Sequence, residues 1–220
     1  MSIITVDFDG TLYQHNSIIA TLKGGKELFA FRQWVYILGD IIKGLVKDVI
    51  GGGSSFRILF LESFFRQMKG KSMEELHGFF ESLVTAGHQG INFDLVSRLA
   101  KHFEDGDRII VLSGGLQPFL EVFIQKLGLQ ANAIGTLLFY DDEGICTGEI
   151  GKINSGAEKV NRLNLWINEN DAGGETVWAY ADSESDIPLL EFADKAIVVN
   201  PSKALKDIAL SKGWEFCEPV

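Results

Sequence analysis

The sequence predicts an α/β protein: a mainly parallel sheet flanked by helices, with an all-helical segment inserted after the first strand. Three observations predict it. From residue 106 onward, short β-rich runs alternate with helical stretches, the rhythm that builds a parallel sheet with helices on both faces. Residues 14–105 show helical character throughout. Ahead of them stands one β-branched run, Ile3-Ile4-Thr5-Val6. The expected organisation is a core of residues 1–14 and 106–220 and a helical cap of residues 15–105.

The first strand reads as buried and ends in VDFDGT, placing Asp7 and Asp9 one residue apart. Helices are expected over residues 26–46, 56–69, 73–86 and 93–104. Gly51-Gly52-Gly53-Ser54-Ser55 and Gly70-Lys71-Ser72 punctuate them, and Ser72-Met73-Glu74-Glu75 fits a capping box. Next come a strand over 108–112, a helix over 118–127 and a strand over 133–140. Asp141-Asp142-Glu143-Gly144 reads as a hairpin turn, with residues 145–150 returning from it. A helix over 157–169, a strand over 176–181, a helix over 187–192 and a strand over 196–199 follow. The chain closes with a helix over 203–211 and a short strand around 214–217.

Composition narrows the function classes. With 46% hydrophobic residues among 220, a sizeable core is available. The formal charge of −10, without a dense Lys/Arg block, disfavours nucleic acid as a partner. The apolar stretch 28–50 is interrupted by Arg32, Asp40, Lys43, Lys47 and Asp48, too many charges for a membrane span. The two cysteines, Cys146 and Cys217, read as free thiols of a reducing compartment. No basic segment followed by an apolar run opens the chain, so a cytoplasmic protein is expected.

In open parallel sheets, ligands bind beyond the carboxyl ends of the strands. There the sequence places Asp7-Phe8-Asp9-Gly10-Thr11, Ser113-Gly114-Gly115 and Asp182-Ser183-Glu184-Ser185-Asp186. Carboxylates converging on one edge repel one another unless a cation neutralises them. Hard oxygen ligands of this kind suit Mg²⁺, which binds one or two carboxylates together with phosphate and water. A hydroxyl, glycine amides and Lys159 can balance a phosphate's charge.

On these four motifs, DFDGT, VLSGG, GAEKVNRL and DSESD, followed by AIVVNP at Ala196 to Pro201, the chain resembles the haloacid dehalogenase (HAD) superfamily. More narrowly, it is similar to the phosphoserine-phosphatase-like branch (subfamily IB), with a helical cap of the C1 type. The resemblance implies a Rossmann-like core and an Mg²⁺-dependent phosphatase working through an aspartyl-phosphate. Asp7 would be the nucleophile. Asp9 would protonate the leaving oxygen and then deprotonate water. The metal would be held by Asp7, the Asp9 carbonyl and Asp182, with Asp186 in support. Gly10, Thr11, Ser113, Gly114 and Lys159 would bind the phosphoryl group.

Plainer readings stand beside these. Asp9-Gly10 also fits a simple turn, Lys159 a solvated helix lysine with Lys152 as rival, and Asp186 a cap ahead of Ile187-Pro188. His15, His77, His88 and His102 lack metal-ligand spacing. Aromatic residues of the insert, among them Phe29, Trp34, Phe60 and Phe64, read as cap core rather than a lipid site. Two departures from the branch stand out: Ala181 replaces the usual Gly, and Asn16 replaces a Glu that binds the ammonium of phosphoserine. Asn cannot form that ion pair. His15, Asn16 and Arg57, with Arg32 and Lys23, are candidate specificity residues. The expected substrate is a small phosphomonoester, handled by a monomer or homodimer. Phosphoserine hydrolysis, phosphotransfer to an alcohol, and a switch module phosphorylated on Asp are the alternatives.

Overall fold

The computed structural model describes residues 1–15, 17, 24, 25, 28–51 and 56–217, the side chains of 44–51 and 56–57 excepted. Its strands are β1 (Ser2–Asp7), β2 (Arg108–Leu116), β3 (Asn132–Thr136), β4 (Leu138–Tyr140), β5 (Cys146–Ile150), β6 (Thr176–Ala181), β7 (Lys195–Val199) and β8 (Glu215–Cys217). Its helices are α1 (Phe31–Gly51), α2 (Phe56–Arg66), α3 (Met73–Gly87), α4 (Phe93–Glu104), α5 (Gln117–Leu127), α6 (Ala157–Glu169), α7 (Ile187–Phe192) and α8 (Lys203–Lys212).

Six strands form one parallel sheet in the order β3-β2-β1-β6-β7-β8, so the first strand of the chain lies in its interior. This position explains its composition: Ile3, Ile4 and Val6 are fully buried, because a strand covered on both faces needs apolar side chains on both. Val6 stands opposite Val111 on one side and Tyr180 on the other, which brings Asp7 level with Leu112, one residue ahead of Ser113, and just below Asp182. Two apolar clusters separate the faces. One joins Ile4, Val6, Val111 and Tyr180 to helices α4 and α5 and to the cap. The other joins Ile3, Ile110, Ala179 and Val198 to α6, α7 and α8.

In the insert, α1 packs on α2, whereas α3 packs on α5 and α4 on β2. Ser72 caps α3 in the expected capping box, accepting from the Glu75 N–H while the Glu75 carboxylate accepts from the Ser72 N–H. The first long helix departs from expectation. It spans Phe31–Gly51, with Phe29 and Ala30 outside it and residues 26 and 27 of the expected start outside the described residues. The Phe29 ring is buried with its centroid 4.8 Å from that of Phe64, and the Gln33 side chain accepts from the Ala30 N–H. The run 133–140 also departs from expectation and divides in two. β3 is an edge strand paired with β2, whereas β4 turns away to pair antiparallel with β5. The turn joining β4 to β5 closes as expected, with the Asp141 carboxylate accepting from the Glu143 and Ile145 N–H groups.

Candidate active site

β1 ends at Asp7, and the chain turns sharply through Asp9-Gly10. Gly10 adopts φ +86°, and its N–H donates to the Tyr13 carbonyl at 2.7 Å. Asp182 follows β6, and Lys159 occupies the first turn of α6. Side chains 152 residues apart in sequence therefore meet. Lys159 Nζ donates to Asp7 Oδ1 and to Asp186 Oδ1, both at 2.5 Å, and all three side chains are buried. Asp7, Asp182 and Asp186 each offer an oxygen within 4.8 Å of the others. Thr11 Oγ1 donates to Asp182 Oδ1 at 3.3 Å, and Ser183 Oγ to Asp186 Oδ2 at 3.0 Å.

These contacts place each of the residues that the sequence left with two readings. Lys159 is a buried partner of two aspartates, whereas Lys152 is exposed and pairs with Glu158 at 2.6 Å. Asp186 stands at the N-terminus of α7, but its side chain makes no capping bond and is spent on Lys159 and Ser183. Ser113 does not end its strand. β2 continues to Leu116 through an irregularity after Leu112, and the buried Ser113 hydroxyl accepts from the Gly115 N–H at 3.0 Å.

The charge balance is negative, with three carboxylates facing one ammonium. Burial opposes the charge on Lys159, but Asp7 and Asp186 outweigh it and hold the ammonium well above its usual value. For Asp7, burial pushes the carboxyl up, Lys159 pulls it back, and Asp186 and Asp182 push it up again. Burial, then the charge of Asp186, raises Asp182 to about 6. The cluster fits a small hard cation. Its donors are carboxylate oxygens within 4.8 Å of one another, and three of them against one ammonium leave a net negative charge for the ion to offset.

Above the cluster lies a cleft of about 260 Å³. Asp7, Asp9, Gly10, Gly114, Lys159 and Asp182 line its floor, and Ile58 and Leu61 of α2 reach it from the cap. His15 and Gln14 stand at the same cleft. Thr11 and Ser113 are buried beneath the surface and are not among the described lining residues. Arg32 is exposed on α1; Asn16, Lys23 and the Arg57 side chain lie outside the described residues. Sequence reasoning missed Ser17, whose N–H and hydroxyl donate to the two Asp9 carboxylate oxygens at 2.6 and 2.9 Å. A serine ahead of the apolar Ile18-Ile19 is a helix-start signal that marks the position. Ser155 and Ser183 of the cleft carried no such signal.

The fold is thus an α/β sheet carrying paired aspartates, a buried lysine and further acids at its strand ends. Residues 4–191 match the family described as haloacid dehalogenase-like hydrolase, and the chain belongs to it. Among curated relatives, histidinol-phosphatase of Neisseria meningitidis is 33% identical over 120 residues, covering 51% of this chain and 52% of that protein. Phosphoserine phosphatase SerB1 of Mycobacterium tuberculosis is 24% identical over 222 residues, covering 96% of this chain and 68% of its own length. The chain thus spans about half the length of the first of these relatives. A Bordetella pertussis protein described as of unknown function superposes with a TM-score of 0.79 at 22% identity, covering 99% and 98% of the two chains. A phosphoserine phosphatase structure described as a phospho-aspartyl intermediate analogue does so with 0.62 at 20% identity, covering 98% and 92%. Both likenesses show the fold. Among the described residues no helix is long and apolar enough to cross a membrane.

Proposed function

We propose that the protein is a phosphomonoesterase that hydrolyses a small phosphorylated metabolite through an aspartyl-phosphate on Asp7, with Mg²⁺ as cofactor. The observation that carries this reading is the meeting of Asp7, Lys159, Asp182 and Asp186 at the floor of a cleft whose other wall comes from the cap. Asp7, Asp182 and Asp186, with the Asp9 carbonyl, are the groups that would hold the ion. When bound, the ion supplies positive charge against the phosphoryl oxygens and the Asp7 carboxylate.

The chain's own groups do the rest. An Asp7 oxygen attacks phosphorus, the ester P–O bond breaks, and Asp9 passes its proton to the departing alkoxide, which leaves as the alcohol. Asp9, now ionised, takes a proton from water. The hydroxide formed attacks the same phosphorus, releasing inorganic phosphate and the Asp7 carboxylate. Lys159 keeps Asp7 turned into the cleft and offsets the charge of the transferring group. Gly10 and Gly114 let the phosphoryl group approach the backbone, where N–H groups act as donors.

The organic part of the substrate meets Gln14, His15, Ile58 and Leu61. Among the described lining residues, every carboxylate belongs to the Asp7, Asp9, Asp182 and Asp186 group, so none stands apart to take a substrate ammonium. Together with Asn16, this favours a phosphomonoester other than phosphoserine, although several relatives carry that name. The free thiols Cys146 and Cys217 accord with a reducing, cytoplasmic setting.

Turnover of aryl phosphate with Mg²⁺ and a panel including O-phospho-L-serine and histidinol phosphate tests the reading. Asp7→Asn is expected to lose at least about 10³-fold in turnover with its circular dichroism unchanged. Wild-type-like rates in that variant would overturn the mechanism. Efficient, selective hydrolysis of phosphoserine would overturn the argument from Asn16.

A further inference from the structure

α1 carries a second apolar face that the cap does not use. Phe31, Val35, Leu38 and Ile42 are 84%, 52%, 59% and 53% exposed, at successive spacings of four, three and four residues. Their mean spacing is that of a helix showing one continuous stripe to a second helix. The packed face is separate: Ile37 and Ile41 are buried, and Trp34 packs with Phe29 and Phe64. An amphipathic helix of a monomer needs one such face.

We propose that the occupant is a second copy of this chain, docked through an antiparallel pair of α1 helices about a two-fold axis near residue 40. A four-three-four spacing reads the same in both directions. Reversal therefore sets Leu38 of one copy against Ile42 of the other, and Ile42 against Leu38. The sequence continues the spacing at Leu45 and Val49, the positions that reversal brings level with Val35 and Phe31. Gly39 lies beside the axis, and a Cβ built there meets nothing within 4 Å, so the backbones can approach closely. Antiparallel alignment also sets the helix dipoles head to tail. A two-fold pairing uses one patch twice and needs no other protein.

The size of the patch agrees. With about 150–200 Å² for each large side chain, the exposed fractions of Phe31, Val35, Leu38 and Ile42 leave on the order of 400–450 Å² of apolar surface per copy. Two copies then bury on the order of 850 Å² from these four side chains, and the rest of the paired helix surface adds to that toward the roughly 1,000 Å² of a specific interface. A lipid surface fits less well. Arg32 and Lys43 are the basic side chains of the described exposed face, fewer than an interfacial helix carries, and a net charge of −10 is repelled by anionic lipid.

Light scattering on the purified protein at tens of micromolar is expected to return twice the chain mass. The double variant Leu38→Glu/Ile42→Glu is expected to weaken association at least about 100-fold and to run as single chains. Both positions are surface sites outside the cleft, so its circular dichroism, melting temperature and aryl phosphate turnover remain near wild type. In a Cys217→Ser background, mixed Leu38→Cys and Ile42→Cys chains are expected to form a disulfide faster than either alone. Single chains at tens of micromolar, a dimer surviving the double variant, or preferential cross-linking of Leu38→Cys to itself would each overturn the proposal. So would a single-chain species that floats with vesicles of phosphatidylcholine and phosphatidylglycerol.

Discussion

Gly10 shows how strictly a single position is held. Its φ of +86° lies where side chains are strained, and a Cβ built on it would stand 1.9 Å from Asp182 Oδ2. Gly10→Ala therefore has to displace a carboxylate assigned to the cation. The expected outcome is Mg²⁺ activation weakened about 10–100-fold, read from a Mg²⁺ titration of aryl phosphate hydrolysis, with the fold retained by circular dichroism. An unchanged titration would separate Asp182 from the metal. Ser17 acts at the same scale: by donating twice to Asp9 it ties the residue proposed for proton transfer to the chain that follows β1. Lys159 is more constrained than either. Removing a buried ammonium from between two aspartates leaves their like charges facing each other without a counter-charge.

Among the elements, the C-terminus of α4 is fastened to the sheet by Asp107. One carboxylate oxygen accepts from the Ser2 N–H at 2.7 Å and the other lies 3.0 Å from His102 Nδ1, while His102 Nε2 lies 3.2 Å from the Tyr180 hydroxyl. Burial pushes the Asp107 carboxyl up, but the bonds from His102 and Ser2 outweigh it and hold it below its ordinary value. A carboxyl depressed by folding stabilises the native state above its unfolded pKa, and the contribution fades as pH falls through the lower folded value. Asp107→Asn is expected to cost about 1.5–3 kcal/mol in urea unfolding at pH 7, the gap to wild type closing below about pH 4. A gap that did not change with pH would assign the effect to shape rather than charge. The same scale shows where periodicity misleads. Residues 133–140 have one strand-like character throughout, and the break after Thr136 arises because β3 pairs with β2 whereas β4 finds β5.

At the scale of the whole molecule, the site joins β1, β6, α6 and the cap, so an ion bound there ties the ends of the fold together. Free Mg²⁺ at about 100 times its dissociation constant is expected to stabilise the protein by about 2.7 kcal/mol and raise the melting temperature by about 5–10 °C. Chelator should reverse the shift, and Asp182→Asn should abolish it. An equal shift in that variant would place the ion elsewhere. The packing ties the insert to the core at three places: α2, which carries α1, lies on β5, α3 on α5 and α4 on β2.

By itself the sequence determined the α/β class, nearly every element after residue 56, and the acids at the strand ends. Strand and helix periodicity are local, and Asp7, Asp9, Asp182 and Asp186 sit in short motifs beside those elements. Tertiary structure alone decided the rest. It buried Lys159 between two aspartates and left Lys152 exposed, gave Ser17 its bond to Asp9, turned the Asp186 side chain from helix cap to lysine partner, and began α1 at Phe31. Each of these depends on which side chains meet across the fold or on how one packs, as Phe29 does on Phe64. Spacing along the chain carries no record of such meetings, because burial and pairing arise only when β1 is enclosed between β2 and β6.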